Sequence, residues 1–128
     1  MFTEIGTVFI LPQFRRSHVT SHTVGLLLFY ALDTDRGLGL RRVSWVANAN
    51  NDASVNCAKR MGFQMEGIMR WIRVISSSKT GTGNGVKARQ ADRQADCEGR
   101  DSALLSFCWD DWENGGKAKV EQIMNRKS

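Results

Sequence analysis

The feature that most constrains the fold is an alternation of strand-like and helix-like segments between residues 4 and 75. Strand segments are rich in β-branched and aromatic residues, and helical segments carry apolar residues three and four apart. The predicted elements are a strand at 4–11, a helix from N-cap candidates at 20–23 to residue 32, a strand at 40–47, a helix at 53–61 and a strand pair at 64–67 and 68–74. This order predicts an α/β fold, with a mixed or parallel sheet and right-handed crossover helices.

Helix 53–61 has the clearest local start and stop signals. Asn51 or Asp52 can cap its first turn, because short polar side chains accept hydrogen bonds from unpaired backbone N–H groups. Gly62 follows its last turn, where a left-handed residue commonly ends a helix. In strand 40–47, Val43, Trp45 and Ala47 alternate with other residues as expected for a buried face.

The rest of the chain predicts a polar connection and a short closing unit. Residues 76–99 contain Val86 as their single large aliphatic residue, which predicts a flexible loop. Residues 102–109 predict a strand, and Val120, Ile123 and Met124 lie at the spacing of a short helix. We therefore expect one domain over 1–128, with a core at 1–75, the loop at 76–99, and a closing strand and helix at 100–128.

Composition excludes several classes of protein. No apolar run reaches the roughly 18 residues that a membrane helix needs, and the N-terminus lacks a secretory pattern, so we expect a cytoplasmic protein. Three cysteines offer no disulfide framework or paired ligand motif. His18 and His22 lie four apart without a third ligand, which favours polar surface over a metal site. The four tryptophans are expected in the core and on sheet faces.

The basic segment between the first strand and the first helix is a candidate anion site. A helix N-terminus presents unpaired N–H groups and a positive dipole end, and Arg15 and Arg16 add cationic donors. Two arginines in a loop can equally be solvated charge. The formal net charge of +5 fits either a phosphorylated cofactor or nucleic acid.

The segment from Asn51 to Gly67 reads N-x-x-S-x-x-x-A-x-x-x-G-F-x-x-E-G. This pattern resembles the GNAT superfamily of N-acetyltransferases, and within it the branch of ribosomal-protein alanine acetyltransferases. The resemblance covers residues 4–74 and extends to 99–112 as a closing strand. It implies the acyl-CoA N-acyltransferase fold and transfer of acetyl from acetyl-CoA to a primary amine.

The resemblance also implies roles for individual residues. In the pyrophosphate loop, Arg15 takes the first position, while His18 and Thr20 occupy positions that prefer small residues. Asn51 would contact the pantetheine arm. Ala58 stands where the family often has a tyrosine, so Ser54 would be the catalytic proton donor; alternatively, its hydroxyl only satisfies the first turn of its own helix. The implied cofactor-binding residues are Phe9, Ile10, Arg15, Arg16, Ser17, His18, Val19, Thr20, Asn51 and Ser54.

Other residues and activities stay open from the sequence. Glu66 is either a general base or a solvated strand residue, and Cys57 reads better as a small buried residue than as a nucleophile. GNAT chains usually have further strands and helices before the cofactor loop, and only about a dozen residues precede it here. We therefore expect a truncated remnant of the enzyme, a fragment, or a chain in which a second copy covers the unpaired edge of strand 4–11 as a homodimer. The alternatives to an acetyltransferase are a non-catalytic CoA-binding or dimerising module and, less favoured, a nucleic-acid-binding protein.

Overall fold

The computed structural model describes residues 1–6, 10–76 and 81–126. Its strands are β1 (Phe2–Ile5), β2 (Arg42–Asn48), β3 (Gln64–Val74) and β4 (Gly99–Cys108). Its helices are α1 (His18–Leu32), α2 (Asp52–Met61), the single turn α3 (Trp109–Asp111) and α4 (Lys117–Met124), with a 3-10 turn at Pro12–Phe14 and a π turn at Trp112–Gly116. Within those described ranges, no helix combines the length and apolar character that a membrane span requires.

The four strands form one mixed sheet in the order β1-β2-β4-β3. β1 pairs in parallel with β2, whereas β4 is antiparallel to both β2 and β3. Parallel neighbours cannot be joined by a tight turn, so α1 serves as the crossover between β1 and β2. The predicted mixed sheet with crossover helices is confirmed.

The first strand is shorter than the sequence predicts. It spans Phe2–Ile5 instead of 4–11, and Ile10 and Leu11 belong to no strand. Residues 7–9 lie outside the described residues. A strand needs a hydrogen-bonded neighbour as well as β-branched composition, and the register that ties β1 to β2 ends at Ile5.

The start of α1 lies earlier than predicted. Ser17 is the N-cap, and its hydroxyl accepts a hydrogen bond from the backbone N–H of Val19 at 3.4 Å. The candidates at 20–23 therefore lie inside the helix. Capping depends on the backbone conformation at the cap, and Ser17 is extended (φ −121°, ψ 179°) where the helix begins. Leu27, placed on the apolar face by its spacing, is 43% exposed.

The predictions for α2 are confirmed. The side chain of Asn51 caps its first turn, and Gly62 ends it in the left-handed conformation at φ 111°. A side chain at Gly62 would also collide with the ring of Phe107, because a Cβ there would lie 2.8 Å from a ring carbon. Glycine is therefore required at this position for two separate reasons.

The second half of the sheet differs from the prediction in its details. β3 is one continuous strand with register shifts between Met65 and Gly67 and between Met69 and Arg73, where two short strands were expected. The closing strand begins at Gly99, earlier than predicted. Residues 81–98 contain no helix or strand beyond one bridge between Lys87 and Glu98, and their flexibility stays a prediction. The predicted C-terminal helix is α4.

The core lies between the helices and one face of the sheet. Val43, Trp45 and Ala47 are buried there, as predicted from their alternation. Five aromatic rings of this core pack edge to face against one another, with the centroids of neighbouring rings 4.8–5.8 Å apart: Phe29, Trp45, Phe63, Phe107 and Trp112. The expectation for the tryptophans is wrong for Trp109, which is 50% exposed, whereas Trp71, 44% exposed, lies in the sheet with its ring beside Gly99 of β4. Trp109 follows the last sheet residue, and Trp71 lies in the irregular part of β3.

The other face of the sheet is not part of this core. Side chains alternate between faces along a strand, so Val46 and Leu104 project away from α1 and α2. Both are half-buried, although no described helix covers this face. We call it the open face.

Candidate active site

A cleft of about 540 Å³ lies at the edge of the sheet where the parallel strands end. The register between β1 and β2 runs to Ile5 opposite Trp45, and β2 then continues to Asn48. The chain leaves this edge after β2 to form α2, so α2 begins beside the cleft. Open α/β sheets bind ligands outside the carboxyl ends of their strands. This cleft is therefore the candidate active site.

Ser54 is held in the cleft by two hydrogen bonds. Its backbone N–H donates to Oδ1 of the N-cap Asn51 at 3.2 Å, which places its side chain on the first turn of α2. Its Oγ accepts a hydrogen bond of 3.0 Å from Nε1 of Trp45, a residue that is 2% exposed. An indole N–H can only donate, so the Ser54 hydroxyl proton is directed elsewhere. Ser54 can thus act as a positioned donor toward a group in the cleft.

Asparagines tie the segment after residue 80 to the rim of the cleft. Nδ2 of Asn48 donates to the carbonyl of Thr82 at 2.8 Å, and Nδ2 of Asn50 donates to the carbonyl of Gly83 at 2.6 Å. The partners are more than 30 residues apart in the chain, so no local pattern identifies them.

The basic loop has the geometry of a helix entrance. Nε of Arg15 donates to the carbonyl of Ile10 at 3.1 Å, and Arg16 adopts a left-handed conformation at φ 59°. The Ser17 hydroxyl also donates to the carbonyl of Phe14. His18 is the first residue of α1, so the position where the GNAT loop prefers glycine lies on the helix itself. The first-turn N–H groups of α1 and its positive end face this loop.

The structure separates the predicted site residues into two groups. Asn51 and Ser54 line the cleft, whereas Arg16, Ser17 and His18 line a second depression. The predicted cofactor residues Ile10, Arg15, Val19 and Thr20 line neither, although they flank the same helix entrance. Phe9 lies outside the described residues.

The second depression, of about 580 Å³, is strongly basic, and we call it the basic basin. Its cations are Arg16, Arg60, Lys119 and Arg126, and none of them forms an ion pair with another described residue. Two of these cations come from the C-terminal part of the chain, which sequence reasoning missed. Four residues that line the basin follow the spacing of one helical face: Lys119, Gln122, Ile123 and Arg126. This spacing in the sequence could have indicated a basic helical face.

Three residues singled out by the sequence take no part in the cleft. Ala58 is fully buried in the core. Glu66 is paired with Arg42, and this hydrogen bond, with a second to Ser106, lowers the pKa of Glu66. Burial raises the pKa of Cys57, which keeps it a thiol and argues against a nucleophile. The rings of His18 and His22 are arranged edge to face, with their centroids 6.4 Å apart.

Comparison with known proteins identifies the fold. The model of the acetyltransferase (GNAT) family matches residues 2–63. A GCN5-related N-acetyltransferase from Brucella melitensis superposes with a TM-score of 0.69 at 25% identity, over 94% of this chain and 44% of the other. A probable acetyltransferase of the GNAT family from Chromobacterium violaceum gives a TM-score of 0.64 at 30% identity, over 86% of this chain and 43% of the other.

A more distant structure shares the fold. Arabidopsis thaliana NAA60, solved with acetyl-CoA, gives a TM-score of 0.59 at 17% identity, over 84% of this chain and 48% of the other. The chain therefore spans about half the length of these structures. A search of curated protein sequences found no match. The chain has the fold of the GNAT acetyltransferases, and the match over residues 2–63 supports its place in the GNAT superfamily.

Proposed function

We propose that the chain binds acetyl-CoA and supports transfer of its acetyl group to a primary amine. The observation that carries this proposal is the Ser54 hydroxyl, which Trp45 holds in the cleft with its proton free to be donated. Thioester aminolysis needs such a donor, because a thiolate must leave as the new bond forms. The fold supports the proposal, since a structure that shares it was solved with acetyl-CoA.

The residues present fit the cofactor at both of its ends. The pantetheine arm would enter the cleft beside Asn51, with the thioester near Ser54. The phosphates would lie at the entrance of α1, contacted by donors from Arg15 to Thr20, and extend into the basic basin. Four cations without an ion pair among the described residues match the negative charge of CoA. The side chain of His18 leaves a phosphate less room to approach the α1 backbone than a glycine would. Its imidazole adds a hydrogen-bond donor.

In the proposed reaction the chain contributes position and hydrogen bonds. The amine nitrogen forms a bond to the thioester carbonyl carbon, the carbon–sulfur bond breaks, and the amine proton passes to solvent. Ser54 donates its proton to the departing sulfur as the carbon–sulfur bond breaks, and solvent, which has received the amine proton, reprotonates Ser54. Backbone groups after β1, at Phe9 and Ile10 by resemblance, would polarise the carbonyl. Orientation and a prepared polar site supply most of the rate enhancement in such a mechanism.

The finer assignments belong to the same proposal. We infer an acceptor like that of the ribosomal-protein alanine acetyltransferases, because of the motif from Asn51 to Gly67, and a cytoplasmic location. We also infer a homodimer formed across β1, whose outer edge has no strand partner among the described residues. Phe2 on this strand is 69% exposed, and Met1 just before it is 82% exposed. Unpaired edges of this kind readily accept another strand.

A non-catalytic CoA-binding module is the second candidate function. It is favoured by Ala58, which lies fully buried where a family tyrosine would donate a proton. Calorimetric titration with acetyl-CoA, followed by an assay of thiol release with a panel of amines, separates the two. Binding with release supports the enzyme, and binding without release supports the module. Absence of binding at low-millimolar acetyl-CoA would contradict both.

The role of Ser54 can be isolated with a matched variant. Trp45→Phe removes the indole donor and leaves the hydroxyl, whereas Ser54→Ala removes the hydroxyl itself. If Ser54 acts as the acid, the serine variant loses turnover and keeps acetyl-CoA affinity. If it only completes the first turn of α2, both variants change stability and leave turnover per folded molecule unaltered.

A further inference from the structure

Two arginines line the cleft side by side on neighbouring strands. Arg73 of β3 lies directly opposite Arg100 of β4 in the antiparallel register, and both border the cleft that holds Ser54. Residues opposite one another in such a pair project from the same face of the sheet. Arg100 shares a face with Ser102, which pairs with Asn48, so the two guanidinium groups belong to the open face.

This arrangement is unfavourable without a counter-charge. Like charges directly opposite each other across two strands destabilise the pair. Among the described residues, neither arginine forms an ion pair. The Nε of Arg100 is buried and lacks a hydrogen-bond partner among the described residues. A buried donor of this kind costs free energy unless something accepts its hydrogen bond.

Among the described residues, neither acidic neighbour of Arg100 along the chain, Glu98 or Asp101, forms an ion pair with it. Oδ1 of Asp101 accepts hydrogen bonds from the backbone N–H of Trp71 at 2.9 Å and from Nδ2 of Asn84 at 3.3 Å. The carboxylate of Glu98 packs beside Gly83, with an oxygen 2.5 Å from where a Cβ on that glycine would lie. The arginine pair is thus a cationic part of the cleft wall, and no described acidic residue neutralises it with an ion pair.

We propose that Arg73 and Arg100 bind an anionic oxygen group, a carboxylate or a phosphate, on the amine acceptor. This inference rests on the proposed acetyl transfer in the same cleft. Guanidinium groups pair with such oxyanions through two parallel hydrogen bonds, which fixes orientation as well as affinity. The phosphates of the cofactor have their own cations in the basic basin, beside α1. The acceptor would therefore be an amine that carries an acidic group, in a peptide or in a small molecule, and would approach from the open face.

The test compares amines that differ in the anionic group. Calorimetry in saturating CoA would measure binding of β-alanine against propylamine, and of phosphoethanolamine against ethanolamine. Each pair is also titrated into protein without CoA while the arginine Nε–H signals are followed by nuclear magnetic resonance. The variants are Arg73→Gln and Arg100→Gln, with Arg70→Gln as control, since Arg70 is an exposed residue of β3 that does not line the cleft.

We expect at least one charged amine to bind about tenfold or more tightly than its neutral partner, and each cleft variant to remove most of that preference. Arg70→Gln should leave it unchanged. Tighter binding of β-alanine would identify a carboxylate, and of phosphoethanolamine a phosphate. Arg73 is exposed, so its variant should fold even if Arg100→Gln does not.

Equal binding of charged and neutral amines would overturn the proposal, as would an effect of Arg70→Gln equal to that of the cleft variants. Displacement of phosphoethanolamine by CoA would assign the pair to the cofactor instead and would also overturn it. A different result would contradict the proposed acetyl transfer and leave the anion site intact. If acetyl-CoA does not bind while a charged amine still shifts the Arg73 and Arg100 signals, acetyl transfer is wrong and the anion site stands.

Discussion

Nζ of Lys117 lies 2.8 Å from Oδ2 of Asp33, a carboxylate whose side chain is 2% exposed. Asp33 ends α1 and Lys117 begins α4, so this ion pair joins the C-terminal helix to the crossover helix. The other carboxylate oxygen accepts hydrogen bonds from the backbone N–H groups of Asp35 and Arg36. The position of α4, and with it the cations of the basic basin, depends on this pair.

Replacing Lys117 by methionine should destabilise the fold. The substitution leaves the Asp33 carboxylate buried without its cation, and breaking fully buried pairs costs about 3–5 kcal/mol. Lys117 is 39% exposed, so solvent screens part of the interaction and we expect about 2 kcal/mol. Urea denaturation measures the difference. Lys119→Met is the control, since Lys119 is exposed and forms no ion pair with a described residue, and an equal loss in both variants would contradict the assignment.

The same pair predicts a loss of stability in acid. The hydrogen bond from Lys117, ahead of those from the backbone, lowers the pKa of Asp33 to about 2 despite its burial. A carboxyl group with a lowered folded-state pKa contributes stability above its unfolded value near 3.8. That contribution should disappear as the pH falls from about 4 to about 2. Denaturation midpoints between pH 7 and pH 2 measure it, and Lys117→Met should flatten the curve in this window.

Removing the Ser54 hydroxyl should slow acetyl transfer. With Ser54→Ala we expect kcat to fall by about a hundredfold to ten-thousandfold, the usual contribution of a positioned acid. The loss of an acceptor for Trp45 Nε1 should cost about 1 kcal/mol of stability. Trp45→Phe with Ser54→Ala also removes the unpaired indole donor, and we expect its kcat to be no lower than that of Ser54→Ala alone. An unchanged kcat in the single serine variant would contradict the acid role.

Cations of α4 should contribute to cofactor affinity. Lys119→Gln and Arg126→Gln remove charge from the basic basin, and we expect each to weaken acetyl-CoA binding by about fivefold to tenfold. The effect should shrink at high salt and be absent for acetyl-pantetheine, which lacks the phosphorylated nucleotide. Lys59→Gln is the control, because Lys59 is an exposed residue of α2 outside the basin. Equal losses with acetyl-CoA and acetyl-pantetheine would contradict a phosphate contact.

Replacing Gly62 by alanine should destabilise the junction of α2 and β3. The left-handed backbone at φ 111° costs a non-glycine residue about 1–2 kcal/mol, and the added methyl group must displace the Phe107 ring. Thermal denaturation measures the effect. Gly81→Ala is a comparison with strain alone, since its φ is 85° and nothing lies near a Cβ there. A loss no greater than that of Gly81→Ala would exclude the ring contact as a cause.

The features that the sequence determined are those set by neighbouring residues. α2 begins after Asn51 and ends before Gly62, because the capping side chain and the left-handed glycine each act within one helical turn. The buried alternation of Val43, Trp45 and Ala47 follows from strand geometry. The motif from Asn51 to Gly67 combined these local signals and indicated the GNAT fold.

The tertiary structure decided which distant groups meet. Strand pairing shortened β1, since its register with β2 ends at Ile5 whatever its β-branched composition. Folding brought Trp45 to the Ser54 hydroxyl and Lys117 to Asp33, and it set Arg73 opposite Arg100 across 27 residues of chain. Such contacts depend on sheet order and helix docking, which no short window of sequence contains. The motif thus predicted Ser54 as the proton donor, whereas only the folded structure shows the hydrogen bond from Trp45 that positions its hydroxyl.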